Sequence, residues 1–315
     1  VTRYVLRRLA TSAVVVLGVS LITFMMLHGL SGSPGRAILG VEASAEAVAA
    51  FDREHGYDRS LVVQYVMYLG DLLQGDLGYS YRLNQSVNDL LAENAGRTAM
   101  LAGAALVLAI GIAVPLGVFQ AVKRNSVGDN LLTALTFVAY SMPVFLLAML
   151  LIQVFALGLG ILPAQASQSS SNFVIFTEPR AMLLPVLTLT GVTVAMYSRY
   201  QRSAALDQLA QDYIRVARAK GLSTRMVLTR HLLRNACLPL VTLIGMSIPL
   251  LLAGNLVVES VFNYPGLGLL FFNSLNNQDY PVLLGYTLVA SIMTVLGNLL
   301  ADLVVAVSDP RTQNA

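Results

Sequence analysis

Long stretches of this chain carry no charge, and that limits its fold more than any other feature. A hydrocarbon core about 30 Å thick is crossed by roughly 20 apolar residues at the helical rise. Six stretches fit: residues 9–30, 98–122, 131–159, 181–198, 235–258 and 280–307. Only Asp302 puts a formal charge inside any of them, near the inner end of the last. Backbone in lipid must satisfy its own hydrogen bonds, so each stretch is expected to be helical. Charged residues make up 12% of the chain and mean hydropathy is +0.68, against about 25% charged in an ordinary globular protein. The expectation is an all-α polytopic membrane protein with six transmembrane helices. The first stretch follows Arg3, Arg7 and Arg8, as a signal peptide would. It is longer than a signal peptide's apolar core, and residues 32–37 hold no small-residue cleavage site, so it is expected to stay as an anchor.

Orientation follows from where lysine and arginine fall. With the N-terminus inside, 14 of the 20 basic residues lie in inner segments, eight of them between the fourth and fifth stretches. Twelve of the 17 acidic residues lie outside, nine of them from Glu42 to Glu93. Both termini are therefore expected in the cytoplasm. The organisation expected is an N-terminus and first helix at 1–30, an extracytoplasmic region with short helices at 31–97, a five-helix core at 98–307 and a cytoplasmic tail at 308–315. Within 31–97, Ser44 and Gly56 bracket one short helix, and Ser60 opens a second over Leu61–Gln74 that suits a membrane surface. Basic residues divide as 18 Arg to 2 Lys and the chain opens on Val1, which together point to a high-GC bacterium.

Several chemistries are excluded. A P-loop sets lysine in Gly-Lys-Ser/Thr so that it reaches phosphate from a glycine-rich turn; neither Lys123 nor Lys220 has those neighbours. Ion-coupled carriers place ionisable groups at membrane depth, and Asp302 alone approaches it, at an interfacial position. His28, His55 and His231 are scattered, Cys237 is single, and no Ser/His or paired-Asp constellation falls in an apolar stretch. No catalytic residue, cofactor site, metal site or nucleic-acid contact is expected of this chain. What remains is a path through the membrane driven from elsewhere.

The basic inner loop, 199–235, holds the most structured message. Leu206, Leu209, Tyr213 and Val216 recur at helical spacing, and Arg218 and Lys220 precede Gly221 at a helix stop. Ser223 then caps a second helix whose apolar stripe takes in Met226, Leu228 and Leu232 or Leu233. This knuckle suits either docking of a partner or contact with anionic lipid, worth about 1 kcal/mol per basic residue.

Residues 212–239, DYIRVARAKGLSTRMVLTRHLLRNACLP, resemble the cytoplasmic signature loop of binding-protein-dependent ABC import permeases. The wider pattern is Glu-Ala-Ala, three residues, Gly, nine residues, then Ile-x-Leu-Pro. Aligned on Gly221, Arg215, Val216 and Ala217 take the first three places, and His231, Leu233 and Arg234 the last ones. Gly221, Ala217 and Leu233 match; the Glu and Pro do not. That degenerate form is similar to the B-type permease subunit of dipeptide and oligopeptide importers. Supporting stretches run along the chain: YVLRRL at the start, GDLGYS from Gly75, SMPVF from Ser141, VESVFNYPGLG from Val258, DYP from Asp279 and SDPR from Ser308.

The resemblance implies a type I ABC importer permease fold in a bacterial cell membrane. It also implies partners: a second homologous permease, two cytoplasmic ATPase domains carrying ATP and Mg²⁺, and an extracytoplasmic substrate-binding protein. The loop would dock on an ATPase through Gly221–Arg230. Gly221 would form the turn, Leu222 and Met226 the buried contact, and Arg215, Arg218 and Arg225 the rim, with Ala217, Ser223, Arg230 and His231 beside them. Peptides lead as substrate, with nickel, glutathione and haem as alternatives; the alternative class is a secondary transporter or channel without an ATPase. Pro115, Pro143, Pro185, Pro239 and Pro249 are either tolerated kinks or, for Pro143 and Pro249, walls of a pathway. Glu259 and Tyr264, before Pro265-Gly266, belong to a simple turn or to an outer gate.

Overall fold

The computed structural model describes residues 11, 14–25, 34–39, 43–169, 171, 173–252 and 255–308. Arg3, Arg7, Arg8, His28 and the tail after Ser308 lie outside them, as do the side chains of Pro249 and Asp302. In chain order the elements are α1 (Val14–Met25), α2 (Pro34–Leu39), α3 (Ala45–Glu54), α4 (Leu61–Leu73), β1 (Tyr79–Ser80), β2 (Gln85–Ser86) and α5 (Val87–Val122). There follow α6 (Val127–Ser141), α7 (Val144–Leu151) running into a π-helix (Ile152–Gly158), α8 (Val174–Thr177), α9 (Pro179–Leu209) and α10 (Asp212–Ala219). The chain closes with α11 (Thr224–Met226), a second π-helix (Val227–Leu232), α12 (Leu233–Ala236), α13 (Leu238–Leu252), α14 (Leu256–Val261), α15 (Leu267–Asn276) and α16 (Tyr280–Ser308).

Among the described residues three helices, α5, α9 and α16, are long and apolar enough to cross a membrane alone. A fourth span would be α6 with α7 and its π-helix, which bend by 108° at their junction. The uninterrupted helix expected over 131–159 is thus corrected to a broken one. Pro143 explains the break: Met142 before it is held extended (ψ 128°), because the proline ring disfavours α geometry there. Pro115 and Pro185, by contrast, sit inside continuous helices. The stretch 235–258 is likewise divided among α12, α13 and α14.

The chain forms two compact units. The first comprises Val1–Thr98, Leu252–Leu256 and Pro265–Val295. Its core joins Val87, Leu90 and Leu91 of α5 to Leu267 and Leu270 of α15 and Val282 of α16. Thr98 Oγ1 accepts from the Leu267 amide at 2.9 Å, which caps the buried start of α15. The hairpin β1–β2 pairs Tyr79 with Ser86, and Ser80 Oγ donates to the buried Asp279 carboxylate ahead of α16. No residue of α4 is buried, and Val62 and Leu73 are 73% and 91% exposed.

The second unit comprises Ala99–Leu251, Val257–Tyr264 and Leu296–Ala315, with α9 as its axis: α6, α7, α8 and α12 all pack on it. One core gathers Leu101, Ala148, Met182, Leu184, Val258, Phe262 and Tyr264; another gathers Ala121, Ala205, Ile214, Ala217, Val227, Leu232 and Ala236. At Gly117 a Cβ would lie 2.7 Å from the Ser198 carbonyl and 2.7 Å from Gln201 Cβ. α5 and α9 therefore meet backbone to backbone, the close approach that small residues allow between membrane helices.

Candidate functional site

The knuckle is built from the end of α9 onward. α9 runs unbroken to Leu209, and α10 restarts on Asp212 after an extended Gln211 (ψ 150°). That restart resets the helical phase. Leu206, Leu209 and Tyr213 pack into the core as expected, but Ile214 and Ala217 continue the buried face, at 0% and 4% exposure. Val216, expected in the same stripe, is 52% exposed.

Gly221 ends α10 at φ +79°, where an L side chain is strained. Its N–H donates to Arg218 O at 3.0 Å, and the Leu222 N–H donates to Ala217 O at 3.3 Å. These two bonds make a Schellman cap, and the accompanying apolar contact is Leu222 with Ala217 in one core cluster. Ser223 Oγ then accepts from the Met226 amide at 3.4 Å to start α11. The π-helix that follows uses i→i+5 bonds, which bring residues five apart onto one side. Val227 and Leu232 are accordingly buried, while Met226, expected in the apolar stripe, is 43% exposed.

The outcome is a two-sided turn. Ala217 and Leu222 face its own core. Arg215, Arg218, Gly221, Ser223, Arg225, Met226 and Arg230 are exposed, and His231 is half-buried. Arg215 pairs with Asp212 at 2.8 Å on the open surface.

The base of the knuckle holds a constellation that sequence reasoning missed. Arg202, late in α9, meets Asp129, in the first turn of α6, through two bonds of 3.0 and 2.8 Å. The Asp129 side chain is 1% exposed and that of Arg202 28%. The same carboxylate accepts from the Asn125 amide at 3.0 Å and from Thr133 Oγ1 at 3.2 Å, and Thr133 accepts from Gln120 Nε2 at 3.0 Å. A forked guanidinium–carboxylate pair fixes direction as well as charge, so α5, α6 and α9 are tied together just ahead of the knuckle.

The residues singled out for a pathway fall in three places. Pro143 stands at the 108° break. Glu259 and Tyr264 are 0% and 1% exposed, and the Tyr264 amide donates to Glu259 O at 2.7 Å. The turn between them sets Asn263 at φ +50°, and its carbonyl accepts from Gln168 Nε2 at 2.6 Å. Pro249 lies in α13, its side chain outside the described ones.

Two family models match the chain. The binding-protein-dependent transport system inner membrane component matches residues 113–314, and the N-terminal part of such membrane components matches residues 1–102. The chain belongs to this family. It is 40% identical to a putative peptide permease of Brucella ovis over 98% of both chains. It is also 35% identical to the oligopeptide transport system permease AppB of Bacillus subtilis, over 98% of this chain and 99% of the relative. To the glutathione transport system permease GsiC of Salmonella paratyphi A it is 37% identical, over 98% and 97%. Among solved structures, a chain of the MetNI methionine ABC transporter in an inward-facing conformation superposes with TM-score 0.51 at 16% identity. That match covers 70% of this chain and 96% of the other, and it shows the fold. The family is a transport component of the inner membrane, and the knuckle, the Asp129–Arg202 pair and the Glu259–Tyr264 turn all fall inside the segment matched at 113–314.

Proposed function

We propose that this chain is the permease subunit of an ATP-driven importer of peptides, and that residues 199–235 receive the mechanical input. On this reading the six apolar stretches are six transmembrane helices, and the placement of lysine and arginine supports both termini in the cytoplasm. On the same reading the chain divides into 1–30, an extracytoplasmic 31–97, a core at 98–307 and a tail at 308–315. The chain supplies half of a pathway; a second homologous permease supplies the other half. Two ATPase domains holding ATP and Mg²⁺, and an extracytoplasmic binding protein, complete the machine. No bond-making step falls to this chain. Peptide cargo is supported by relatives named for peptides, oligopeptides and glutathione.

The observation that carries the proposal is the two-sided turn at Gly221. Its inner side is locked by buried Ala217, Ile214, Val227 and Leu232, while Met226, Arg215, Arg218 and Arg225 are exposed. A lever needs this combination: rigid attachment to the moving helices and an accessible contact. An ATPase groove that closes on the turn would pull on α9, and the Asp129–Arg202 pair would pass the motion to α6. The test is peptide uptake and peptide-stimulated ATP hydrolysis by the assembled transporter carrying Gly221→Val. Membrane insertion should persist while both activities fall together. Normal uptake in that variant, or an active transporter that purifies without any ATPase, overturns the proposal.

A further inference from the structure

The first unit contains a cavity of about 510 Å³ that the coupling argument does not use. Its volume is that of a small-molecule site. Aromatic rings dominate the wall: Tyr57, Tyr68, Tyr79, Tyr81, Tyr280 and His55 all line it. They stand at different angles: His55 is edge-on to Tyr81 at 5.1 Å and Tyr79 edge-on to Tyr81 at 5.4 Å, while His55 and Tyr57 lie nearly parallel at 6.1 Å. Asp71 and Asp76 line the same cavity and are exposed. Among the described residues no lysine or arginine lines it; Arg59 reaches the Met67 sulfur at 3.2 Å without itself forming part of the wall.

Two buried hydroxyls are left over. Tyr280 is 8% exposed, and its Oη, like that of Tyr68, has no hydrogen-bond partner among the described residues. Both oxygens are closed off from solvent, so the two residues line the cavity with other atoms than these hydroxyls. The Tyr57 phenol is pushed up to about 12, first by burial and then by Tyr81, Asp52 and Asp279, so it stays neutral and its ring keeps an electron-rich face. His55 donates from Nδ1 to the Phe51 carbonyl at 2.9 Å.

Aromatic rings, two carboxylates and, among the described residues, no cation in the wall make one kind of host. We propose that this cavity binds a primary ammonium group carried on an apolar body. The rings would hold the charge by cation–π attraction. Asp71 and Asp76 would supply the counter-charge, and Phe24, Met67 and Leu284 would cover the apolar part. The ammonium can arrive on a soluble amine or on an aminophospholipid headgroup, and the chemistry is the same.

The test uses the full-length transporter in nanodiscs of phosphatidylglycerol, titrated calorimetrically with phenethylammonium, 3-phenylpropionate and 2-phenylethanol at neutral pH. The ammonium should bind at least about tenfold tighter than either of the others. Asp71→Asn with Asp76→Asn should remove most of that preference and leave 2-phenylethanol unchanged. The shape of the loop should survive, because an asparagine amide oxygen can still accept from the Gly78 N–H, as the Asp76 carboxylate does at 2.8 Å. Replacing half the lipid with phosphatidylethanolamine, compared with the same fraction of phosphatidylcholine so that the surface charge is matched, then assigns the source. A weakened apparent affinity for phenethylammonium identifies the headgroup as occupant, and an unchanged one identifies a soluble amine. Equal binding of all three probes, or a preference that survives the double substitution, overturns the proposal. The first of those results would reduce the tyrosines to an interfacial aromatic belt.

Discussion

Two corners of this molecule share one backbone design and differ in what they carry. In the first unit, α3 ends on Gly56 (φ +71°), with Gly56 N–H to Arg53 O at 3.3 Å and Tyr57 N–H to Asp52 O at 2.7 Å, and Ser60 precedes α4. In the second, α10 ends on Gly221 (φ +79°) with the same two bonds, and Ser223 precedes α11. Helix, left-handed glycine, serine and helix occur in both. The first corner then presents tyrosines and aspartates around a cavity, and the second an exposed methionine and exposed arginines. Backbone punctuation therefore sets the shape of a corner, and the side chains decide what meets it.

The largest expected effect tests how the second corner is anchored. Asp129→Asn leaves Arg202 without its counter-charge beside a buried amide, and breaking a buried pair costs about 3–5 kcal/mol. Because Arg202 keeps 28% of its side chain exposed, a loss near the bottom of that range is expected in the thermal unfolding of the detergent-solubilised protein. Arg202→Lys should cost less than the loss of the carboxylate, since lysine keeps charge but not the fork. A loss under about 1 kcal/mol in Asp129→Asn would remove the pair from the account.

Next come the two glycines, changed alike. Gly56→Val and Gly221→Val each force a β-branched residue into left-handed geometry, at about 1–2 kcal/mol. Stability should fall by similar amounts in both, whereas ATP-hydrolysis coupling should fail only in Gly221→Val. Equal coupling defects would erase the functional difference between the corners.

The serines separate more finely. Ser223 Oγ accepts a backbone N–H and Ser60 does not. Ser223→Ala should cost about 1 kcal/mol in chemical denaturation and Ser60→Ala close to nothing. Smallest of all is Arg215→Ala. Its bridge to Asp212 joins side chains 74% and 87% exposed, so stability should shift by less than about 0.5 kcal/mol and any transport defect would be a docking effect.

Much of this architecture is legible in the chain because it is written locally. Ser44, Gly56, Ser60, Gly221 and Ser223 each mark a helix end within a few residues, and the structure puts helix ends there. The apolar stretches that form α5, α9 and α16 need only composition. The rest depends on phase and on distance. A constant 3.6-residue repeat puts Val216 and Met226 in buried stripes, but the break at Gln211 and the π-helix at Val227–Leu232 interrupt that repeat. Asp129 and Arg202 lie 73 residues apart, and nothing near either residue announces the other. Pro143 is visible as a proline, but the 108° turn depends on which way the two halves pack on α9.

The central claim is that the exposed side of the Gly221 corner meets an ATPase. Site-directed crosslinking from Met226→Cys, in a Cys237→Ser background so that the probe thiol is the only one in this chain, tests it in intact membranes. A crosslink to a cytoplasmic ATPase subunit that changes in yield when ATP is added is expected, and none from Met67→Cys at the other corner. A Met226→Cys thiol that labels freely from the cytoplasm in the assembled transporter and crosslinks to no ATPase would contradict it.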